Sequence, residues 1–253
     1  MAATDRLGAE QIFHDTQALE RARDLGREPK RLRFADADYL DHETWIRPAF
    51  AQLGNLTGLD VLDYGCGHGM AAVVMARSGA RVTAFDLSRG YLEEADRRAR
   101  ANQVRIKLVQ ADGERLPFAS ASFDRIWGNA ILHHLDLASA ACELHRVLRP
   151  GGSAVFCEPW GENPLLNLAR DSFPYPGKQR TPDEKPLTRK HLVTLHEVFP
   201  TVRWRGFQLL SMARRVLGSG RLNAGLDRCD DRLLSRFPSL QLYCRYVVVT
   251  LRR

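Results

Sequence analysis

The sequence lacks a long hydrophobic run and contains few cysteines. Its longest apolar stretch has eight residues, 69–76, whereas a membrane-spanning helix needs about 20. The five cysteines are odd in number and scattered over 253 residues, which argues against a disulfide framework. An export signal is also missing, because Asp5, Arg6 and Glu10 interrupt any hydrophobic region near the amino terminus. We therefore expect a protein of a reducing, cytoplasmic compartment.

The excess of positive charge is confined to one part of the chain. The formal net charge is +7, but residues 1–57 carry 8 basic and 10 acidic side chains, and residues 58–158 carry 12 of each. Residues 159–253 carry 17 basic and 8 acidic side chains. For this last third, an anionic partner, a membrane surface and a solvated arginine-rich surface all stay open.

Short β-branched or apolar runs alternate with helical patterns through the middle of the chain. The runs lie at residues 58–63, 81–85, 105–109, 123–127 and 153–157. A spacing of about 20–30 residues suits βαβ units, so the sequence predicts an α/β fold with a doubly wound, mostly parallel sheet.

The two ends of the chain have a different character. We predict an N-terminal helical lid over 1–57, with helical patterns at 9–25 and 38–53, before the core at 58–158. Residues 159–253 complete the same domain, beginning with a proline-rich cap insertion that argues against long regular elements. The elements expected after it are a helix near 188–198, a strand near 201–207, helical patterns over 209–237 and a last strand at 242–251.

The most specific motif is a glycine-rich loop after the first predicted strand. It reads Val61-Leu62-Asp63-Tyr64-Gly65-Cys66-Gly67-His68-Gly69. Glycines at alternate positions allow a tight turn that brings backbone N–H groups at a helix N-terminus towards a carboxylate or phosphate. The match to the dinucleotide fingerprint G-x-G-x-x-G is imperfect, because Met70 occupies the sixth position.

Acidic residues end the second and third predicted strands. Asp86 can accept hydrogen bonds from ribose hydroxyls, and Asp112 can accept one from an adenine amino group. Leu87 and Leu116 could sandwich the adenine ring. A nicotinamide-dependent oxidoreductase would also use Asp86 but does not require Asp112, so that class of enzyme stays open only as an alternative.

Five motifs, namely the glycine-rich loop, the strand end at Asp86 and three further segments, resemble those of class I S-adenosylmethionine-dependent methyltransferases. The resemblance is greatest to the branch of ubiquinone and menaquinone biosynthesis. The other motifs are residues 111–118 (ADGERLPF), 122–124 (SFD) and 148–152 (LRPGG). The resemblance spans about residues 58–158. It implies a Rossmann-like, seven-stranded sheet with an antiparallel last strand, and S-adenosylmethionine as the methyl donor.

The resemblance also implies which residues bind this cofactor. Gly65, Gly67 and Gly69 would surround its methionine part together with Asn129, Asp86 would bind the ribose, and Asp112 would lie near the adenine. The full set of expected cofactor-binding residues is Asp63, Tyr64, Gly65, Cys66, Gly67, Gly69, Asp86, Leu87, Asp112, Gly113 and Asn129.

Methyl transfer needs little chemistry from the protein, because the sulfonium is already activated and must mainly be aligned in a dry pocket. Candidates for a general base are His133 and His134, which follow the fourth strand, and Glu158, which ends the fifth. A histidine pair is frequent at this place in the resembling family, which argues for an orienting role. No histidine or cysteine spacing fits a metal site, so we expect no metal.

Residues outside the shared motifs should select the methyl acceptor. The candidates are Trp160 and Tyr175 as apolar walls, and Arg170 and Arg180 as partners of an acidic group; a rigid surface loop is the alternative. We hypothesise a methyltransferase, monomeric or homodimeric, that acts on a small biosynthetic metabolite of amphipathic or anionic character.

Other partners and functions stay open as alternatives. Residues 129–132 lack the Asn/Asp-Pro-Pro-aromatic motif of DNA amino-methyltransferases, which argues against nucleic acid. Basic amphipathic patterns at 209–217 and 222–237 would suit contact with a membrane surface. A protein that binds the cofactor without catalysis is a further class.

Overall fold

The computed structural model describes residues 3–27, 29–172, 185–213 and 221–253. Its strands are β1 (Asp60–Tyr64), β2 (Arg81–Asp86), β3 (Ile106–Gln110), β4 (Phe123–Asn129), β5 (Leu148–Pro159), β6 (Thr201–Phe207) and β7 (Tyr246–Arg252). They form one sheet in the order β3-β2-β1-β4-β5-β7-β6. Strands β1 to β5 pair in parallel, and β7 is antiparallel to both β5 and β6. The predicted seven-stranded, mostly parallel sheet with an antiparallel last strand is confirmed.

Helices cover the sheet. They are α1 (Ala3–Arg27), α2 (Asp36–Leu40), α3 (Ile46–Phe50), α4 (Met70–Arg77), α5 (Arg89–Ala101), α6 (Leu137–Val147), α7 (Pro164–Ser172), α8 (Arg189–Val198) and α9 (Arg221–Arg236). Within the described part of the chain, no helix combines the length and the apolar character that crossing a lipid bilayer requires.

Each face of the sheet carries its own hydrophobic cluster. On β5, Ala154 and Phe156 belong to one cluster, whereas Val155 and Cys157 belong to the other. This alternation follows from the period of two along a strand, and burial on both faces explains the continuous apolar run of β5 at residues 154–157.

The fifth strand begins earlier than the sequence indicates. The sequence places the fifth apolar run at 153–157, whereas Pro150, Gly151 and Gly152 before it already lie within β5. The pairing with β4 shifts register between Phe123, opposite Leu148, and Arg125, opposite Ser153. Such an irregularity accommodates Pro150, which has no N–H to donate to a neighbouring strand.

The N-terminal and cap segments also differ from the expected elements. The helical pattern at 38–53 is divided, since α2 ends at Leu40 and α3 begins at Ile46. The cap insertion contains the nine-residue helix α7, which begins at Pro164, a position that tolerates proline because the first helical N–H has no partner. Residues 173–184 of the insertion lie outside the described part of the chain.

Helix α1 lies across the carboxyl edge of the parallel strands and is attached near both of its ends. Near its start, the guanidinium of Arg6 donates to the backbone oxygen of His134 over 2.6 Å and contacts Glu114. Near its end, Arg21 donates to Glu94 of α5 over 3.0 Å. These contacts hold α1 over the point at which the strands end.

Candidate functional site

The carboxyl ends of β1, β2 and β4 converge on a cavity of about 200 Å³, because parallel strands end at the same edge of a sheet. Seven of the residues expected to bind a cofactor line it: Gly65, Gly67, Asp86, Leu87, Asp112, Gly113 and Asn129. Residues of helix α1, among them Glu10 and His14, form one wall of the cavity. Its volume lies below the about 300–1,000 Å³ typical of sites that bury a small organic ligand.

The glycine-rich loop turns with positive φ at each of its three glycines. Gly65, Gly67 and Gly69 have φ angles of 70°, 49° and 79°, a region that is strained for other residues. Gly65 and Gly67 line the cavity. Gly69 has a packing role, because a Cβ atom there would lie 2.7 Å from the Cβ of Ala95 on α5. The loop therefore requires glycine for both its conformation and its close approach to α5.

Asp86 joins the end of β2 to the glycine-rich loop. Its Oδ2 accepts a hydrogen bond from the N–H of Gly67 over 2.8 Å, and its Oδ1 accepts one from the N–H of Ser88 over 2.9 Å. Burial raises the pKa of this carboxyl, although the two backbone N–H groups oppose the shift. Each carboxylate oxygen has two acceptor positions, so Asp86 can still accept bonds from a ligand in the cavity.

The segment after β3 forms a second polar wall. Asp112 Oδ1 accepts from the N–H of Glu114 over 2.9 Å, and the hydroxyl of Tyr64 donates to the backbone oxygen of Gly113 over 2.6 Å. Leu87 and Leu135 supply apolar surface to the cavity. Leu116, expected to cover an adenine ring, belongs instead to the buried core.

Asn129 has an unused acceptor beside the cavity. Its Oδ1 is buried and has no hydrogen-bond partner among the described residues. Leaving a buried amide oxygen without a donor costs about 1–3 kcal/mol. A ligand that carries N–H groups would satisfy this atom.

Four residues expected to bind a cofactor do not line the cavity: Asp63, Tyr64, Cys66 and Gly69. All four are buried. Burial, with a contribution from the charge of Asp86, raises the pKa of Asp63 to about 8, so this carboxyl is protonated at neutral pH.

His133 and Glu158, two of the three candidate bases, form a buried pair. Nδ1 of His133 lies 2.7 Å from Oε2 of Glu158, and the two side chains are 4% and 0% exposed. Glu158 Oε1 also accepts from the N–H groups of Ile131 and Leu132, over 3.0 and 2.8 Å. Neither His133 nor Glu158 lines the cavity, so this pair orders the turn after β4.

His134, the third candidate, faces the cavity beside residues of α1 that sequence reasoning missed. Glu10 Oε2 lies 3.4 Å from Nδ1 of His134 and 3.3 Å from Nε2 of His14. Burial lowers the pKa of His14, but Glu10 and Asp86 outweigh it and leave the pKa above its usual value. Glu10, His14 and Gln17 are spaced so that they share one face of a helix. This spacing is the sequence feature from which a polar face of α1 could have been predicted.

His68 of the glycine-rich loop also lines the cavity. Burial, assisted by the charges of Arg21 and Arg98, lowers its pKa to about 4, so the imidazole is neutral at physiological pH. Its Nδ1 has no hydrogen-bond partner in the described ranges.

Trp160, the candidate for acceptor recognition whose side chain is described, does not line this cavity. Trp160 is fully buried, with its ring 5.5 Å from that of Trp204, and its backbone bridges to Leu187. Arg170 belongs to α7, and nothing is described of its side chain. Tyr175 and Arg180 lie outside the described residues.

The core of the chain is similar to known methyltransferases. Residues 62–156 match a family model described as a methyltransferase domain. Over 134 residues the chain is 41% identical to malonyl-[acyl-carrier protein] O-methyltransferase of Enterobacter lignolyticus, covering 52% of this chain and 48% of that protein. Over 122 residues it is 37% identical to demethylmenaquinone methyltransferase of Tropheryma whipplei, covering 47% of this chain and 50% of the relative. The chain thus spans about half the length of the curated relatives it matches.

Solved structures share the fold over a longer part of the chain. Geranyl diphosphate C-methyltransferase from Streptomyces coelicolor, solved with Mg²⁺, geranyl diphosphate and S-adenosyl-L-homocysteine, superposes with a TM-score of 0.54 and 20% identity. The match covers 83% of this chain and 80% of that one. The [4+2]-cyclase SpnF superposes with a TM-score of 0.56 and 22% identity, covering 82% and 80% of the two chains.

Proposed function

We propose that this chain, whose residues 62–156 match a family model described as a methyltransferase domain, is a class I enzyme that transfers a methyl group from S-adenosylmethionine to a small organic acceptor. The observation that carries the proposal is the convergence of Asp86, Asp112 and Asn129 with a positive-φ glycine loop on one cavity. The cofactor supplies a methyl group activated on a sulfonium.

The residues around the cavity fit the parts of this cofactor. The buried Oδ1 of Asn129 is an acceptor that suits the ammonium group of the methionine part. Asp86 would accept from the ribose hydroxyls, since each of its oxygens retains an acceptor position. Asp112 would accept from the adenine amino group, with Leu87 and Leu135 against the ring.

The contribution of the protein to the reaction is alignment in a pocket shielded from water. Helix α1 covers one side of the cavity and is held in place by the contacts of Arg6 and Arg21. In this position α1 would shield the reacting groups from water. A nucleophile held in line with the methyl carbon and sulfur needs no covalent help from the enzyme. The residues of α1 and His134 face the space in which such an acceptor would lie.

The acceptor is proposed to be a small metabolite. Two curated relatives act, by their names, on a malonyl thioester and on a demethylmenaquinone, and one structural neighbour acts on geranyl diphosphate. An assay panel should therefore contain an acidic thioester, a hydroquinone and a prenyl diphosphate. We also propose a monomer or homodimer in a reducing, cytoplasmic compartment; the five cysteines, all of them free thiols, support the reducing compartment.

The fold alone does not settle the reaction, because one neighbour with the same fold is named as a cyclase. The test is transfer of an isotopically labelled methyl group from S-adenosylmethionine to members of the panel. Asp112→Ala should weaken the affinity for S-adenosylhomocysteine at least about tenfold, the loss expected for a hydrogen bond to a charged group. Asp231→Asn, a change at an exposed carboxyl paired with Arg205, is the matched control and should leave the affinity unchanged. Binding without transfer to any acceptor would favour a non-catalytic cofactor-binding protein.

A further inference from the structure

Three potential metal ligands from distant parts of the chain meet at the cavity. Glu10 and His14 lie one helical turn apart on α1, and His134 follows β4. One donor atom from each residue lies within 4.8 Å of the other two. The expectation of no metal rested on ligands that are close together in the sequence. This group escaped it because His134 is far along the chain from Glu10 and His14.

Two of the three separations between these atoms match those of ligands around one ion. Zinc lies about 2.0–2.1 Å from imidazole nitrogen and carboxylate oxygen, so the tetrahedral angle places two such donors about 3.3 Å apart. Glu10 Oε2 lies 3.3 Å from His14 Nε2 and 3.4 Å from His134 Nδ1. A charge-assisted hydrogen bond between a carboxylate and an imidazolium would usually be shorter, about 2.7–2.9 Å.

The surroundings of the three side chains also suit an ion. The side chains of Glu10 and His134 are 7% and 12% exposed, so solvent does little to weaken the attraction of the carboxylate for a cation. His134 Nδ1 has no hydrogen-bond partner within the described segments, and Gln17 hydrogen-bonds to His14. A polar partner of this kind orients an imidazole ligand.

We propose that Glu10, His14 and His134 bind a divalent transition-metal ion of the zinc class. Two imidazoles and one carboxylate form a ligand set that such ions use in proteins. All three residues line the cavity, so the coordination position they leave open faces it.

An anionic oxygen of the methyl acceptor would occupy that open position. This role of the ion rests on the proposed methyl transfer. The binding of the ion does not depend on methyl transfer and is testable alone. The competing account is a simple latch, in which the same three side chains hold α1 in place without an ion.

The experiment titrates the metal-free full chain with Zn²⁺ by calorimetry and with Co²⁺ by visible absorption. The proposal expects one ion per chain and a Co²⁺ spectrum typical of a low-coordinate site. Replacing any one ligand should weaken the affinity for the ion by more than about 10–100-fold, the loss typical when a residue that hydrogen-bonds to a metal ligand is removed. The three variants are Glu10→Gln, His14→Gln and His134→Gln. His145→Gln on α6 and Glu93→Gln on α5 are matched controls outside the cluster and should bind as the unmodified chain does.

Circular dichroism shows whether each variant is folded. If a variant does not fold, the titration of the unmodified chain still shows whether an ion is bound. Absence of stoichiometric Zn²⁺ and Co²⁺ binding by the unmodified chain overturns the proposal and leaves the latch. Equal weakening by the control substitutions overturns it too, since the ion would then be held elsewhere. S-adenosylhomocysteine binding measured on the same samples separates this outcome from failure of the proposed methyltransferase function.

Discussion

The carboxylate of Asp86 accepts a hydrogen bond from the backbone N–H of Gly67 over 2.8 Å. One side chain therefore fixes the conformation of the glycine-rich loop and also presents acceptor atoms to the cavity. Cofactor binding and loop order should consequently change together when this carboxylate is altered.

Replacement of Asp86 by alanine tests that coupling. We expect the affinity for S-adenosylhomocysteine to fall about 10–100-fold, because the ribose hydroxyls lose the charged carboxylate to which they would donate hydrogen bonds. The amide hydrogen of Gly67 should exchange faster with solvent in the ligand-free variant. Calorimetry measures the first effect and hydrogen exchange the second, with Asp231→Asn as the control. Unchanged affinity would contradict the role given to Asp86.

Asn129 should matter to the ligand more than to the fold. Asn129→Leu keeps a similar volume and removes a buried oxygen that has no partner among the described residues. We expect the affinity for S-adenosylhomocysteine to fall about tenfold, while the free energy of unfolding changes by less than about 1 kcal/mol. Calorimetric titration and urea unfolding measure the two quantities. A large loss of stability with intact affinity would show that Asn129 is a purely structural residue.

Glu158 should support the turn after β4 without acting as a base. Glu158→Ala removes the acceptor of the Ile131 and Leu132 N–H groups and should lower the free energy of unfolding by about 3 kcal/mol. Glu158→Gln keeps one acceptor oxygen, so most methyl-transfer activity and the pH–rate profile should be retained. Loss of kcat in the glutamine variant, with normal stability, would instead assign Glu158 a catalytic role.

The buried carboxyl of Asp63 should make stability depend on pH. Its folded-state pKa of about 8 lies above the ordinary value of 3.8, so the folded protein retains a proton that the unfolded chain releases. This contribution is fully present below about pH 4 and is lost as the pH rises through 8. Between pH 5 and pH 8 the loss is at most about 4 kcal/mol, at about 1.36 kcal/mol per pH unit.

Asp63→Asn removes this titration while preserving the shape of the side chain. Urea unfolding at pH 5, 6.5 and 8 should show that the variant gains stability relative to the unmodified chain as the pH rises. Asp231→Asn should leave the pH dependence unchanged, because that carboxyl is exposed. Parallel stability curves for Asp63→Asn and the unmodified chain would mean that Asp63 is ionised in the folded protein.

The convergence of Asp86, Asp112 and Asn129 was predictable from the sequence. Each residue lies at or just after the end of a strand, and parallel strands bring their carboxyl ends to one edge. Asp63 and Tyr64, which were expected at the same site, do not line the cavity, because side chains within β1 point towards the two faces of the sheet.

The contribution of α1 could not be located in the same way. Glu10 and His14 reach the cavity only because α1 packs across the strand ends, and contacts such as that of Arg6 with His134 join residues 128 positions apart. Trp160 follows a strand end too, yet it turns into the core against Trp204, a contact that depends on the arrangement of β6. Local periodicity can mark a polar face of a helix, but it does not show what that face packs against.

The most direct test of the account is calorimetric titration of the unmodified chain with S-adenosylhomocysteine and, separately, with NAD. The account predicts binding of one molecule of S-adenosylhomocysteine per chain and no detectable binding of NAD. Tight binding of NAD with no response to S-adenosylhomocysteine would contradict it and would assign the cavity to a nicotinamide-dependent oxidoreductase.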